Sequence, residues 1–203
     1  MIQALLFDFG GVITSSPFEA FNRFEARRGL PRDFIRSVNA QNGDSNAWAR
    51  LERAEIGGDA FDREFAAESE RLGHLIPGAE VLKLLSGALR PNMVALLKEK
   101  RAQFKLGCLT NNVRSDLAPS DEIKAVMALF HVVIESSKCG LRKPDPRIYA
   151  LACDTLGVPP HEIVYLDDLG INLKPARAMG MQTIKVVSED QAIADLEAAL
   201  GSH

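Results

Sequence analysis

The stretch Ile2-Gln3-Ala4-Leu5-Leu6-Phe7-Asp8-Phe9-Gly10-Gly11 sets a short apolar run directly before a carboxylate and two glycines. A run of this length without strict polar alternation suits a strand covered on both faces. The same pattern returns along the chain. Residues 104–109 run into Thr110-Asn111-Asn112, 131–134 into Glu135-Ser136-Ser137, 163–166 into Asp167-Asp168, and 183–187 into Ser188-Glu189-Asp190. Between these runs, 121–129, 146–156, 173–179 and 191–200 carry helical patterns. Pro144 and Pro146 stand at a loop-to-helix entry, where a missing backbone N–H costs little. Strand–helix alternation over short connections predicts an α/β fold, a parallel sheet flanked by helices with right-handed crossovers.

One long segment breaks the alternation. Residues 15–90 are rich in Ala, Arg, Glu, Leu and Phe, and no strand is evident there. Phe18, Phe21 and Phe24 recur at helical spacing, followed by Trp48, Leu51, Phe61, Phe65 and Leu72. The segment reads as a helical insertion after the first strand, giving a core of 1–14 and 91–203 and a second unit of 15–90. The aromatic stripe reads as packing core, with a ligand pocket as the alternative.

Composition narrows the function. The net charge of -3 contains no long run of either sign, which argues against a nucleic-acid surface or an anionic-membrane surface. The apolar run at 4–7 is too short for a signal peptide or a membrane span. Cys108, Cys139 and Cys153 are odd in number and lack metal-ligand spacing, so a disulfide framework is not expected and the cytoplasm is the expected location. Cys108 reads as a small buried hydrophobe. Monomer and homodimer both remain open.

In an open parallel sheet, ligands bind beyond the carboxyl ends of the strands. There the first strand delivers Asp8 and the second Thr110, Asn111 and Asn112. Lys143 follows the third, and the fourth delivers Asp167 and Asp168. Singly, each has a plain explanation as a turn residue, loop polar, surface lysine or helix cap. Together, a carboxylate nucleophile, neutral donors, one cation and a pair of acids suit binding and transfer of a phosphoryl group with a hard divalent cation.

Four segments, Phe7-Asp8-Phe9-Gly10-Gly11-Val12-Ile13, Leu109-Thr110-Asn111, Lys143-Pro144-Asp145-Pro146 and Leu166-Asp167-Asp168, resemble the motifs of the haloacid dehalogenase superfamily. The stretch from Tyr165 to Met181 is similar to the branch containing the N-terminal phosphatase-type domain of soluble epoxide hydrolases. The resemblance covers nearly the whole chain and is weak in the insertion, which takes the place of the family's first-type cap. It implies a Rossmann-like core and a magnesium-dependent hydrolase of small phosphorylated metabolites. Asp8 would be the nucleophile, Thr110 and Lys143 its catalytic partners, and Thr110, Asn111 and Lys143 the substrate contacts. Mg2+ would be held by Asp8, the Gly10 carbonyl and Asp168, with Asp167 behind them and Asn172 orienting a metal-bound water or an acidic partner, a plain helix-start residue being its alternative. The domain that opens epoxides in the fused enzymes has no counterpart in these residues, so epoxide hydrolysis is not expected.

One position departs from the pattern. Phosphatases of the family place an aspartate, the general acid and base, where this chain has Gly10. Slow turnover, substrates with good leaving groups such as acyl or anomeric phosphates, and a substitute acid from Thr14, Ser15 or a histidine such as His74 are the options. Haloacid dehalogenation, where halide leaves without a proton, and phosphate or metal binding without turnover are the alternative functions. Specificity is expected to reside in the insertion, with hinges near 15–17 and 89–92.

Overall fold

The computed structural model describes residues 1–114 and 118–201. Strand β1 (Ala4–Phe7) leads into the helices α1 (Pro17–Arg28), α2 (Phe34–Ala40), α3 (Ala47–Glu52), α4 (Gly58–Arg71) and α5 (Gly78–Leu82). Helix α6 (Pro91–Lys100) returns the chain to β2 (Lys105–Thr110), α7 (Asp121–Met127), β3 (Val132–Glu135) and the short α8 (Ser136–Cys139). Then come α9 (Pro146–Leu156), β4 (Ile163–Asp167), α10 (Gly170–Ala178), β5 (Gln182–Lys185) and α11 (Glu189–Gly201). The strands form one five-stranded sheet in the order β3-β2-β1-β4-β5, with every pairing parallel.

The apolar runs are uninterrupted because both faces of the sheet are covered. Leu5 and Phe7 of β1 pack with Leu106, Cys108, Val164 and Leu166 under Met93 and Leu97 of α6 and Leu196 of α11. Ala4 and Leu6, pointing the other way, join Leu109 and Tyr165 beneath Ile148, Tyr149 and Ala152 of α9 and Leu173 of α10. The strands and core helices read in the sequence are found with ends shifted by a few residues, where the last hydrogen bonds are weakest, whereas α6 and α8 were not read there.

The insertion has a core of its own. Phe21, Phe24, Phe34, Ile35, Phe61, Phe65 and Ile76 are among its buried residues. A series of ring contacts runs from Phe18 to Phe21 (6.0 Å), Trp48 (6.2 Å), Phe61 (5.7 Å) and Phe65 (5.3 Å), mostly edge-on as aromatic quadrupoles prefer. The Phe21 and Phe24 stripe is thus packing core. Phe61, with no solvent exposure, sits mid-series; Phe61→Ala is expected to cost about 3–5 kcal/mol in urea unfolding.

The insertion leaves and rejoins the sheet at one place. Thr14 and Leu89 form an antiparallel bridge, Ser15 N donates to Ala88 O (2.8 Å) and Arg90 N donates to Ile13 O (2.9 Å). The hinge positions read near 15–17 and 89–92 begin at this pairing. Among the described residues no helix is long and apolar enough to cross a membrane.

Candidate active site

Register brings the chemistry together. Phe7 lies level with Leu166, and Asp8 N donates to Leu166 O (2.9 Å), so Asp8 emerges beside Asp167 at the carboxyl edge. The strand order reverses around β1, which is where an open α/β sheet forms its ligand crevice.

Lys143 reaches this edge from a loop stabilised at both sides. Helix α9 starts at Pro146 and is capped by Asp145, whose side chain accepts from Arg147 N (2.9 Å). From β2, Asn111 grips the lysine backbone: its Oδ1 accepts Lys143 N (2.8 Å) and its Nδ2 donates to Lys143 O (3.0 Å). The lysine side chain is 1% exposed, and its Nζ lies 2.9 Å from Asp8 Oδ1 and 2.8 Å from Asp167 Oδ2.

Asp167 is saturated. Its carboxylate accepts from Lys143 Nζ, the Tyr165 hydroxyl, Leu169 N (2.8 Å) and Asn172 Nδ2 (3.1 Å to each oxygen). Asn172 stands in the first turn of α10, and its amide donates to an acidic neighbour, Asp167. Asp168 is only half-buried and lies against Gly11, where a Cβ would overlap its carboxylate. Gly11 also has a φ of 81°, so two separate reasons require glycine there.

Oxygens of Asp8, Asp167 and Asp168 lie within 4.8 Å of one another. Burial pushes the Asp8 carboxyl up to about 8, against the pull of Lys143 and with the Asp167 charge adding to the rise. Asp168 is pushed up to about 6, first by burial and then by Asp167. Burial also works against the Lys143 ammonium, but Asp167 and Asp8 more than offset it and hold it above the usual lysine range. The cluster therefore has more acid than its one lysine neutralises.

Other sequence candidates are placed as follows. Thr110 ends β2, nearly buried, and its hydroxyl has no hydrogen-bond partner among the described residues. A Cβ built on Gly10 meets nothing within 4 Å, and the Gly10 carbonyl accepts no hydrogen bond among the described residues. The suggested stand-ins for the acid are engaged locally. Thr14 Oγ1 donates to Ser15 O (3.2 Å), Ser15 Oγ accepts Ala88 N (3.1 Å), and His74 packs edge-on against Phe34 at 5.1 Å. Cys108 is buried, its thiol raised by burial and by Asp8, as suits a core side chain.

Sequence reading missed Glu52, Arg142 and Tyr165. Tyr165 braces Asp167 from below, and Glu52 joins the insertion to Arg142. Only Tyr165 had a usable signal, a hydroxyl two residues before Asp167 and therefore on the same face of β4.

Such a sheet, with a charged cluster where β1 and β4 end, defines a Rossmann-like α/β protein whose cluster lies at the topological switch point. The sequence pattern of haloacid dehalogenase-like hydrolases matches residues 2–180, and the chain belongs to that family of hydrolases. It is 34% identical to mouse acyl-CoA dehydrogenase family member 10 over 98% of this chain and 19% of that protein. It is 33% identical to pig bifunctional epoxide hydrolase 2 over 98% of this chain and 39% of that protein. The chain thus spans well under half the length of these relatives. Among solved structures, a HAD-like family hydrolase of Porphyromonas gingivalis superposes with a TM-score of 0.72 at 21% identity, over 100% of both chains. A HAD family enzyme of Bacteroides thetaiotaomicron, in complex with magnesium and inorganic phosphate, gives 0.62 at 18% identity, over 91% of this chain and 94% of that one.

Proposed function

We propose that the chain is a magnesium-dependent phosphatase of small phosphorylated metabolites, favouring good leaving groups. The observation that carries this reading is the Asp8–Asp167–Asp168 cluster around one buried lysine. Its surplus acid, with carboxyls raised by burial, fits a hard divalent cation. Asp167 is spent on neighbours, so Asp8, Asp168 and the Gly10 carbonyl are the donors for the ion, while Asn172 holds Asp167 in place. Bound there, magnesium would neutralise phosphoryl oxygens and orient the group.

The chain's own residues supply the rest. The Asp8 carboxylate attacks phosphorus, forming an Asp8–phosphorus bond as the bond to the leaving oxygen breaks. That oxygen departs with the electron pair. Lys143 balances the anionic charge beside Asp8, and the Thr110 hydroxyl, without a partner among the described residues, donates to the phosphoryl group. Water then attacks phosphorus, yields its proton to solvent, and returns the electron pair to Asp8. Asn111 acts by holding Lys143. We assign 1–14 and 91–203 to the catalytic core and 15–90 to a cap that shields the site and sets specificity.

Gly10 favours a second reading, 2-haloacid dehalogenation, because halide departs without a proton. Inorganic phosphate and halide release should be followed across acyl, anomeric and ordinary sugar phosphates and 2-haloacids, each with magnesium and with chelator. Phosphate release that chelator abolishes is expected, strongest for acyl and anomeric substrates. Halide release that chelator leaves intact, with no phosphate from any substrate, decides for the dehalogenase.

A further inference from the structure

Glu52 closes α3 and is 6% exposed. Its Oε1 accepts Trp48 Nε1 (2.9 Å), and its Oε2 accepts Arg142 Nε (2.7 Å) and Asn111 Nδ2 (3.3 Å). Arg142 also donates through Nη1 to Gly43 O (2.9 Å), a second tie between the insertion and the core. Both core partners of Glu52 control Lys143. Arg142 precedes it in the chain, and Asn111 holds its backbone N–H and carbonyl.

We propose that Glu52 is a positioning residue: from the insertion it fixes the Arg142–Lys143 loop, and so couples the seating of the insertion to the ammonium facing Asp8. A buried carboxylate shared by a guanidinium, an amide and an indole has a narrow choice of positions, because moving it strands a charge on Arg142. The path is short and continuous: Lys143 Nζ on Asp8, the Lys143 backbone on Asn111, and Asn111 on Glu52. The indole of Trp48 lies at its far end, and the chain has a single tryptophan, so one resonance reports on Glu52. A plain brace between insertion and core would affect stability alone.

The kinetic arm of the test rests on the phosphatase reading; the spectroscopic arm needs only that magnesium or inorganic phosphate binds beside Asp8. The full chain, Glu52→Gln, Glu52→Ala, Arg142→Ala and the double alanine variant are compared by thermal midpoint and by kcat and KM for phosphate release. In Glu52→Ala, kcat is expected to fall about 10–100-fold with KM little changed, the scale on which a small misplacement of a catalytic group acts. Glu52→Gln recovers most of that loss, and the double variant loses no more than the worse single one. The Trp48 indole N–H is then followed by NMR during addition of magnesium and then inorganic phosphate, and is expected to shift in the wild type and stay still in Glu52→Ala. If Glu52→Ala does not fold, Arg142→Ala takes its place in both arms. Unchanged kcat in a folded but less stable Glu52→Ala overturns the proposal. So does a wild-type indole that ignores an addition shown by calorimetry to bind, whether or not any substrate is hydrolysed; if neither binds, the phosphatase reading fails, and an indole resonance left unmoved by Lys143→Met overturns the coupling.

Discussion

Asp8→Asn is expected to lose turnover by roughly 10³–10⁶-fold, the range seen when a nucleophile is removed, while the fold persists. The amide matches the carboxylate in shape but cannot form the acyl phosphate. Lys143 is not stranded, because Asp167 still lies 2.8 Å from its Nζ. The effect on stability has the opposite sign. The folded-state carboxyl stands at about 8 against an ordinary 3.8, so its ionisation opposes folding as pH rises between those values. Near neutral pH, replacing it removes that penalty, and the metal-free variant should melt no lower than metal-free wild type. Phosphate release and circular-dichroism melting check both halves; full activity in the variant would remove Asp8 from the chemistry.

Gly10→Asp is expected to raise turnover of ordinary sugar phosphates by about 10²–10³-fold, within the usual contribution of a positioned acid and base. The space is already there: a Cβ on Gly10 meets nothing within 4 Å, and Gly10 is not among the residues of positive φ. The new carboxyl would join a cluster of acids, which favours its protonated form and suits it to protonate a leaving oxygen. Acyl phosphates, whose leaving groups need no proton, should gain far less. Comparing kcat for both substrate classes is the measurement; an equal response of the two would show that proton transfer does not limit the enzyme. Gly11, one residue on, offers no such freedom, because Asp168 fills the space and its φ is positive.

The sheet and the members of the charged cluster were legible before any coordinates, because buried parallel strands demand continuous apolar runs and each such run ends on the residue it presents. Phe7 before Asp8 and Leu166 before Asp167 are enough to place both carboxylates at one edge. Tertiary structure decided how those groups divide the work. Asp167 and Asp168 are neighbours in the chain, yet one is saturated by Lys143, Tyr165, Leu169 and Asn172 while the other lies half-open over Gly11. Asn111, read as a substrate contact, also holds the Lys143 backbone, which its own position in the chain did not announce.

Glu52 shows the limit most plainly. It lies 90 positions from Arg142, on a helix whose pattern records only which face is buried. Local sequence determines backbone preference and burial, since both act over a few residues. The meeting of Glu52 with Arg142, and the division of hydrogen bonds between two adjacent aspartates, depend on how the insertion and the sheet pack. Those were settled only when the chain closed on itself.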